Sequence, residues 1–489
     1  MTTDARGPSL ADAMAGGGWL RAALLCAGVW LHAADSLLVA TMMPTAIADI
    51  GGLPYLSWTV ALYVLGSILA GAATGLVSLR LGLRNAMALA ALVYALGCLL
   101  SAAAPDMATM LAGRLLQGLG GGLMVALSHV GVTRLFPAPL WPQLLALVAR
   151  VWGASALVGP LVGGLFAEAG LWRGGFLAFA GQALLLAVAI PLVLRNEAPE
   201  AGQAEPMPWR RLAVLSAGLL AILWAGVRVD PLQAVPLVAA GIALLLLAFR
   251  MDGRAGQDGR PACGRAGAGR LFPRAPLHPR RVWGQGYAMI LTLSAASIAY
   301  IVYGPLLMER LYGTGPLLAG FMVALEALAW TATAILFANA AARWERLLIR
   351  GGAVAITLSL LGFALTVPDG PLWVLAPWAL LAGGGFGACW GFVIRRVVES
   401  LPPAERERAS AAAPTMQILG YAIGAAFCGM VANMNGLDSG TVTLDAARKV
   451  GFWVFAAFLP VALLGLAAAW RLSADPPQPA AATPRSAGA

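Results

Sequence analysis

Apolar residues in this chain come in long unbroken runs, not in alternation. Bounded by charge, Pro or Gly, the runs fall at 19–43, 57–79, 86–104, 109–133, 142–167, 174–194, 212–228, 232–249, 283–308, 315–341, 351–367, 372–394, 409–432 and 450–470. A helix that crosses a bilayer takes about 20 mostly apolar residues. The pattern therefore predicts an all-α polytopic membrane protein with fourteen spans. The seventh and eighth are the shortest, separated only by Val227-Arg228-Val229-Asp230. Continuous runs also exclude a porin-type barrel, whose strands alternate apolar and polar positions.

The polar segments between the runs orient them. With the N-terminus in the cytoplasm, the inner side receives Arg80 and Arg84, Arg134, Arg195 to Arg211, the loop 250–281, Arg343 to Arg350, Arg395 to Arg408 and both tails. That is 25 of the 32 basic residues; five fall outside (Arg173, Arg228, Arg310, Arg448, Lys449), and Arg114 and Arg150 lie within spans. This asymmetry is what the positive-inside rule expects. Merging the seventh and eighth spans would turn every later arginine cluster outward. The chain then divides into a tail (1–18), six helices (19–195), an inserted pair (196–250), a loop (251–282), six more helices (283–472) and a second tail (473–489). The loop is rich in Arg, Gly and Pro and cannot bury a core, so it is expected to be a mobile cytoplasmic linker. Its charge is read as topology and anionic-lipid contact, with no role in nucleic-acid binding.

Composition agrees. Hydrophobic residues make up 60% of the 489 positions and charged residues only 11%, against about 25% charged in soluble domains. A soluble enzyme, a disordered chain and a secreted disulfide scaffold are excluded. The five cysteines (Cys26, Cys98, Cys263, Cys389, Cys428) show no ligand-type spacing and read as small packing residues. No cleavable signal peptide is evident. No phosphate-binding Gly loop with Lys occurs, so neither an ATP motor nor any cofactor is expected. Six plus six helices about a cytoplasmic loop is an arrangement of repeat-built transporters.

Four stretches carry a resemblance. Leu31-His32-Ala33-Ala34-Asp35 followed by Met43-Pro44-Thr45-Ala46-Ile47-Ala48 resembles the first-helix signature of the major facilitator drug:proton antiporters. Arg114-Leu115-Leu116-Gln117-Gly118-Leu119-Gly120-Gly121 resembles that family's fourth-helix motif, and Gly159-Pro160-Leu161-Val162-Gly163-Gly164 its fifth-helix antiporter motif. Leu401-Pro402-Pro403 through Glu405-Arg406, with Gln417, Gly420 and Gly424, is similar to the entrance of the thirteenth helix. The resemblance implies a major facilitator fold of the fourteen-helix (6+2+6) branch. One departure stands out. The turn Gly75-Leu76-Val77-Ser78-Leu79-Arg80-Leu81-Gly82-Leu83-Arg84 has Leu79 where the family carries an acid, and Ala342-Arg343 lacks the equivalent acid in the second half. In the family that acid helps lock the cytoplasmic side, so the usual gate is in doubt here.

Two acids lie well inside spans, Asp35 in the first half and Glu326 in the second. Asp35 sits about four residues past the middle of its span, roughly 6 Å from the midplane, and Glu326 almost at the centre of its own. An ionisable group at such depth usually faces a wet cavity and does work. Burial favours the protonated form of a carboxyl and a nearby cation the ionised form, so a carboxyl open to either side can exchange a proton for a cationic substrate. A protonated acid merely bonded between helices is the plainer reading. Arg114, which cannot readily lose its proton, needs a partner; Asp35 and Gln117 are the candidates. The resemblance gives Arg114 a part in proton coupling, while a structural clamp is the plainer reading. His32, one turn before Asp35, either tunes that carboxyl or serves as a packing hydrogen-bonder. Gly159, Pro160, Gly163 and Gly164 predict a kinked, closely packed seam. Gly75, Arg80, Gly82, Arg84 and Gly118 complete the set of conformational positions. Tyr300, Tyr303 and Trp330 are candidates to stack on a flat cation, although most aromatics in such a chain are core or interfacial belt. His129 and Gly383-Gly384-Gly385 receive packing roles.

The expectation is a non-enzymatic inner-membrane exporter, working as a monomer, that exchanges amphipathic cationic compounds for protons by alternating access. Small-molecule substrate, protons and membrane lipids are the expected partners, with an adaptor protein left open. An exporter of an endogenous metabolite, lipid or siderophore fits the same residues. A transport-inactive scaffold or sensor fits the missing loop acids but not two buried carboxylates.

Overall fold

The computed structural model describes residues 17–195, 207–228, 230–254, 272–273, 275–437 and 442–474. All regular structure among them is helical: α1 (Gly18–Ile50), α2 (Leu56–Ala102), α3 (Met107–Leu135), α4 (Trp141–Glu168), α5 (Trp172–Val193), α6 (Trp209–Gly226), α7 (Pro231–Arg254), α8 (Val282–Tyr312), α9 (Pro316–Phe337), α10 (Glu345–Thr366), α11 (Leu375–Glu399), α12 (Pro403–Ala432), α13 (Leu444–Ala456) and α14 (Leu459–Leu472). Thirteen stretches among the described residues are long and apolar enough to cross a membrane, α13 and α14 together supplying the last. The chain is a multi-pass membrane protein.

The expected count of fourteen separate spans is not confirmed, because 57–79 and 86–104 run together as α2. The short polar segment between them, Arg80 to Asn85, stays in the helix except at Gly82. At 1.5 Å per residue the 47 residues of α2 would extend about 70 Å if straight, more than twice the roughly 30 Å hydrocarbon layer. The element breaks instead at Gly82, with φ 74° and ψ 163°, a conformation that glycine adopts without the clash a Cβ would bring. Both arms then flank α3. Going up α3 from Gly118 to Gly122, the first arm presents Tyr63 and then Ser67; from Gln117 to Gly120, the second presents Gly97 and then Tyr94. The arms therefore run in opposite directions.

Small residues set these distances. Gly118 sits on the Tyr63 carbonyl and Gly120 on the Tyr94 backbone, with no space for a side chain, the close approach that glycine permits between membrane helices. Asp106 caps α3 through Thr109 N at 2.8 Å, which holds its carboxyl below the usual range. In the second half α11 packs between α9 and α10, and α8 is flanked by α12 and α14. Two seams join the halves, α4 against α9 and α2 against α12; the pair α6–α7 leans on α12 and touches α2.

Contacts between helix ends fix one face of the bundle. Arg173 bonds Asp49 and, at 3.1 Å, the Ala104 carbonyl; Leu317 N donates to Glu168 at 3.3 Å; Tyr312 donates to the Val367 carbonyl at 2.8 Å. On the opposite, arginine-rich face, Arg211 pairs with Asp252 at 2.6 Å and Arg350 donates to Ser473 at 2.8 Å. The expected mobile linker lies for the most part (255–271, with Cys263) outside the described residues, as do 1–16, 196–206 and 475–489. Its described edge is tied down: Phe272 N donates to Asp252 at 2.9 Å, and the Phe272 ring meets Phe249 at 5.4 Å.

Candidate transport site

Asp35 and Arg114 are each 0% exposed. An arginine cannot shed its charge, so at this depth it has to be surrounded by acceptors. It is: Nη1 lies 2.9 Å from Asp35 Oδ2 and also donates to Gln117, while Nε donates to the Thr59 carbonyl at 3.1 Å. The guanidinium rests on the Tyr63 ring, 4.1 Å from its centroid. Gln117 passes the network on to Ser101 Oγ at 3.2 Å. Three helices supply these groups: α1 the acid, α3 the arginine and the amide, α2 the carbonyl and the ring. Both partners proposed for Arg114 from the sequence are bonded to it.

His32 reaches Tyr63, with no hydrogen bond to Asp35. Tyr63 OH is 2.8 Å from His32 Nδ1 and 2.8 Å from the His32 carbonyl. A phenol has one proton; if it goes to the carbonyl, Nδ1 must carry a hydrogen and donate to the phenol. The two rings stack with centroids 5.1 Å apart, and Trp152 of α4 meets His32 edge-on at 5.9 Å. Tyr63 thus stands between the ion pair and the histidine. Sequence reading passed over it, and over Thr59 and Trp152, because an aromatic or hydroxyl in an apolar run carries no periodic signal.

Glu326, 8% exposed, has no cation bonded to it among the described residues. Its Oε2 is buried without a hydrogen-bond partner. The Tyr300 and Tyr421 hydroxyls lie within electrostatic reach. Its backbone carbonyl sits on Gly383 of α11, where a Cβ would not fit. No hydrogen bond or ion pair joins Glu326 to Asp35 among the described residues. Of the aromatic candidates, Tyr300 stacks on Phe363 at 4.5 Å and donates to the Met322 carbonyl at 2.9 Å. Tyr303 is wholly buried where α8 meets α12 and α2, close to Gly429 and Ser57. In this conformation neither ring is open to a ligand. Trp330 is half-buried, with one face on Phe386 at 4.8 Å.

The antiporter-like motif builds the α4/α9 seam. Gly159 and Gly163 lie on the α1 backbone at Ala34 and Leu38, next to Asp35, and Gly164 lies on Pro316 and Leu317 of α9. The Pro160 carbonyl accepts from Thr41 Oγ1 at 3.2 Å and lies against Gly320. At the other end of the molecule Arg80 is exposed and Arg84 half-buried, its Nε buried without a partner; nothing lies near the Gly75 Cα. The second half does carry an acid, shifted from the expected position: Glu345 opens α10 and pairs with Arg395 and, at 2.8 Å, Arg396. Looking only at Ala342-Arg343 missed it.

A model of the Major Facilitator Superfamily matches residues 25–425. The chain belongs to this superfamily. It is a membrane transporter and not an enzyme. Within the superfamily it is 32% identical over 453 residues to a probable multidrug-efflux transporter of Mycobacterium tuberculosis (strain H37Rv), covering 89% of this chain and 91% of that one. Among solved superfamily structures it is similar to a bacterial homolog of the human lysosomal transporter Spinster in an inward-facing, unoccupied conformation (TM-score 0.63, 13% identity, 94% and 98% of the two chains). It is also similar to the inward-open xylose transporter XylE of E. coli (TM-score 0.58, 16% identity, 90% and 94%). At these identities the two structures speak for the fold alone.

Proposed function

We propose that this transporter exports amphipathic, cationic compounds in exchange for protons, as a monomer in the inner membrane with both tails in the cytoplasm and a six-plus-two-plus-six arrangement. The observation that carries the reading is the unequal state of the two intramembrane acids. Asp35 is matched by Arg114, so the first half is close to electroneutral. Glu326 has no cation bonded to it among the described residues, although each acid keeps one buried oxygen without a hydrogen-bond partner, Oδ1 of Asp35 and Oε2 of Glu326. Holding an ionised carboxylate in that position is costly. It can be relieved by a proton or by a substrate cation, and the two compete. Export of the cation then follows when the site opens outward and a proton takes its place. The multidrug-efflux relative supports the cargo class.

The test is binding and transport in proteoliposomes with a fluorescent lipophilic cation. Because the ionised carboxyl is the binding form, affinity should rise with pH in the parent and become flat in Glu326→Gln, which keeps shape and hydrogen bonding but cannot ionise. Transport driven by a pH gradient should be lost in the same variant. A Gln variant that keeps both the pH dependence and the driven transport would overturn the assignment.

A further inference from the structure

Where the inserted helix pair meets the seam between α2 and α12, one side chain bonds all three segments. Asn433, directly after α12, is 2% exposed. Its Nδ2 donates to the Pro54 carbonyl, in the turn before α2, at 2.9 Å and to the Gly226 carbonyl, the last of α6, at 2.8 Å. Carbonyls at a helix C-terminus have no intrahelical donor, so the end of α6 offers Asn433 a ready acceptor. An amide has two N–H groups, and here one goes to the N-terminal half and the other to the inserted pair, while the residue itself belongs to the C-terminal half. Around this pin the packing is dry and close. Trp58 of α2 meets Trp224 of α6 edge-on at 6.2 Å, Ser57 lies against Gly429, and Gly226 faces the Met430 backbone.

We infer that the α6–α7 pair is a clamp that holds the α2/α12 seam shut on the face opposite the arginine-rich one, with Asn433 as its pin. For the halves to part there, Asn433 must release Pro54, Gly226 or both, and Trp58 must leave Trp224. The α4/α9 seam on the same face is closed by helix-to-helix contacts alone. The clamp therefore sets how readily one side of the opening begins. This rests on transport by alternate opening of two faces, and is independent of proton coupling and of the substrate.

The experiment uses full-length protein in detergent, where both faces meet the reagent. With the five native cysteines replaced, a cysteine is placed at Ser57, 1% exposed in the closed seam, and its reaction rate with a maleimide is followed. Asn433→Leu removes both donors and keeps the branching at Cγ. Trp224→Ala removes the inserted pair's ring and leaves Asn433 intact. Each should raise the labelling rate roughly fivefold or more, the effect of losing one or two hydrogen bonds or an aromatic contact on an opening equilibrium. If Asn433→Leu does not yield folded protein, Trp224→Ala decides alone. Labelling by Trp224→Ala within twofold of the parent overturns the clamp, whatever Asn433→Leu does, because the inserted pair would then not hold the seam.

Discussion

Removing the negative member of the Asp35–Arg114 pair leaves a positive charge that cannot be neutralised by proton loss. At 2.9 Å the pair's gross attraction is about 6 kcal/mol at an effective dielectric of ~20. Desolvation of both ions opposes it, and truncating one partner of a buried pair typically costs 3–5 kcal/mol, roughly, because the other is left uncompensated. Asp35→Asn keeps the acceptor oxygen and the volume, so its cost comes chiefly from the unmatched guanidinium. Thr59, Gln117 and Tyr63 still surround Arg114, which places the expected loss at the lower end, about 3 kcal/mol. Removing both charges at once, in Asp35→Asn/Arg114→Gln, should be far milder, since replacing a whole buried pair is often close to neutral. A double-mutant cycle should therefore give a coupling energy of about 2–3 kcal/mol. The assay is thermal unfolding in a fixed detergent, followed by tryptophan emission, with transport measured in parallel. The double variant should regain stability but not transport. Additive single effects, or an Asp35→Asn protein that melts with the parent, would refute the claim that this ion pair holds α1 to α3.

Three further outcomes follow from other parts of the molecule. Gly82→Ala places a side chain at φ 74° and should lower stability by about 1–2 kcal/mol, read as an earlier melt, whereas Gly75→Ala, with nothing nearby, should leave the melt unchanged. Glu345→Gln removes the charge that Arg395 and Arg396 share; cysteines introduced beside it on the arginine-rich face should label faster, and an unchanged rate would mean that other contacts close that corner. A reporter active only in the periplasm should score when fused at Asp230 and stay silent at Gly264, and equal signals at the two sites would defeat the proposed topology.

How much of this was readable in advance depended on the kind of signal. Membrane depth forces apolar runs and makes every buried charge conspicuous, so the all-helical membrane fold, the superfamily and the isolation of Asp35, Arg114 and Glu326 could all be read from the sequence. The bond between Arg114 and its two proposed partners was also within reach, because few groups at that depth can satisfy a guanidinium. The joining of the second and third runs into one element was not: Gly82 was singled out as a conformational position, but only its dihedral angles show that the chain turns on that single residue. Tyr300 and Tyr303 show the opposite failure. Both have the composition of a cation-binding site, but Tyr300 is taken up by Phe363 and the Met322 carbonyl, and Tyr303 is wholly buried at the α2/α12 seam. Asn433 was invisible as well: its role comes from three chain segments meeting, at sequence separations no local pattern reports.

The same contrast appears in how the two halves hold their acids. Asp35 lies where Gly118, Gly120 and Gly159 bring α1 to α4 into backbone contact, so its surroundings are interlocked by main chain as well as by Arg114. Glu326 also has a glycine against it, Gly383, but that contact is with its carbonyl and does nothing to satisfy the carboxyl. A substrate cation arriving at Asp35 has to compete with Arg114; one arriving at Glu326 meets no bonded cation among the described residues. On electrostatic grounds the second half therefore takes the ligand first, and the first half responds through Arg114 and Tyr63. Rapid-mixing experiments can separate the order. Trp152, 38% exposed and edge-on to His32, should report a slower phase than the binding step itself. In Tyr63→Phe, which keeps the ring under Arg114 but loses both bonds to His32, that slower Trp152 phase should disappear while binding persists. A Trp152 signal that precedes binding, or survives unchanged in Tyr63→Phe, would reverse the order argued from the charges.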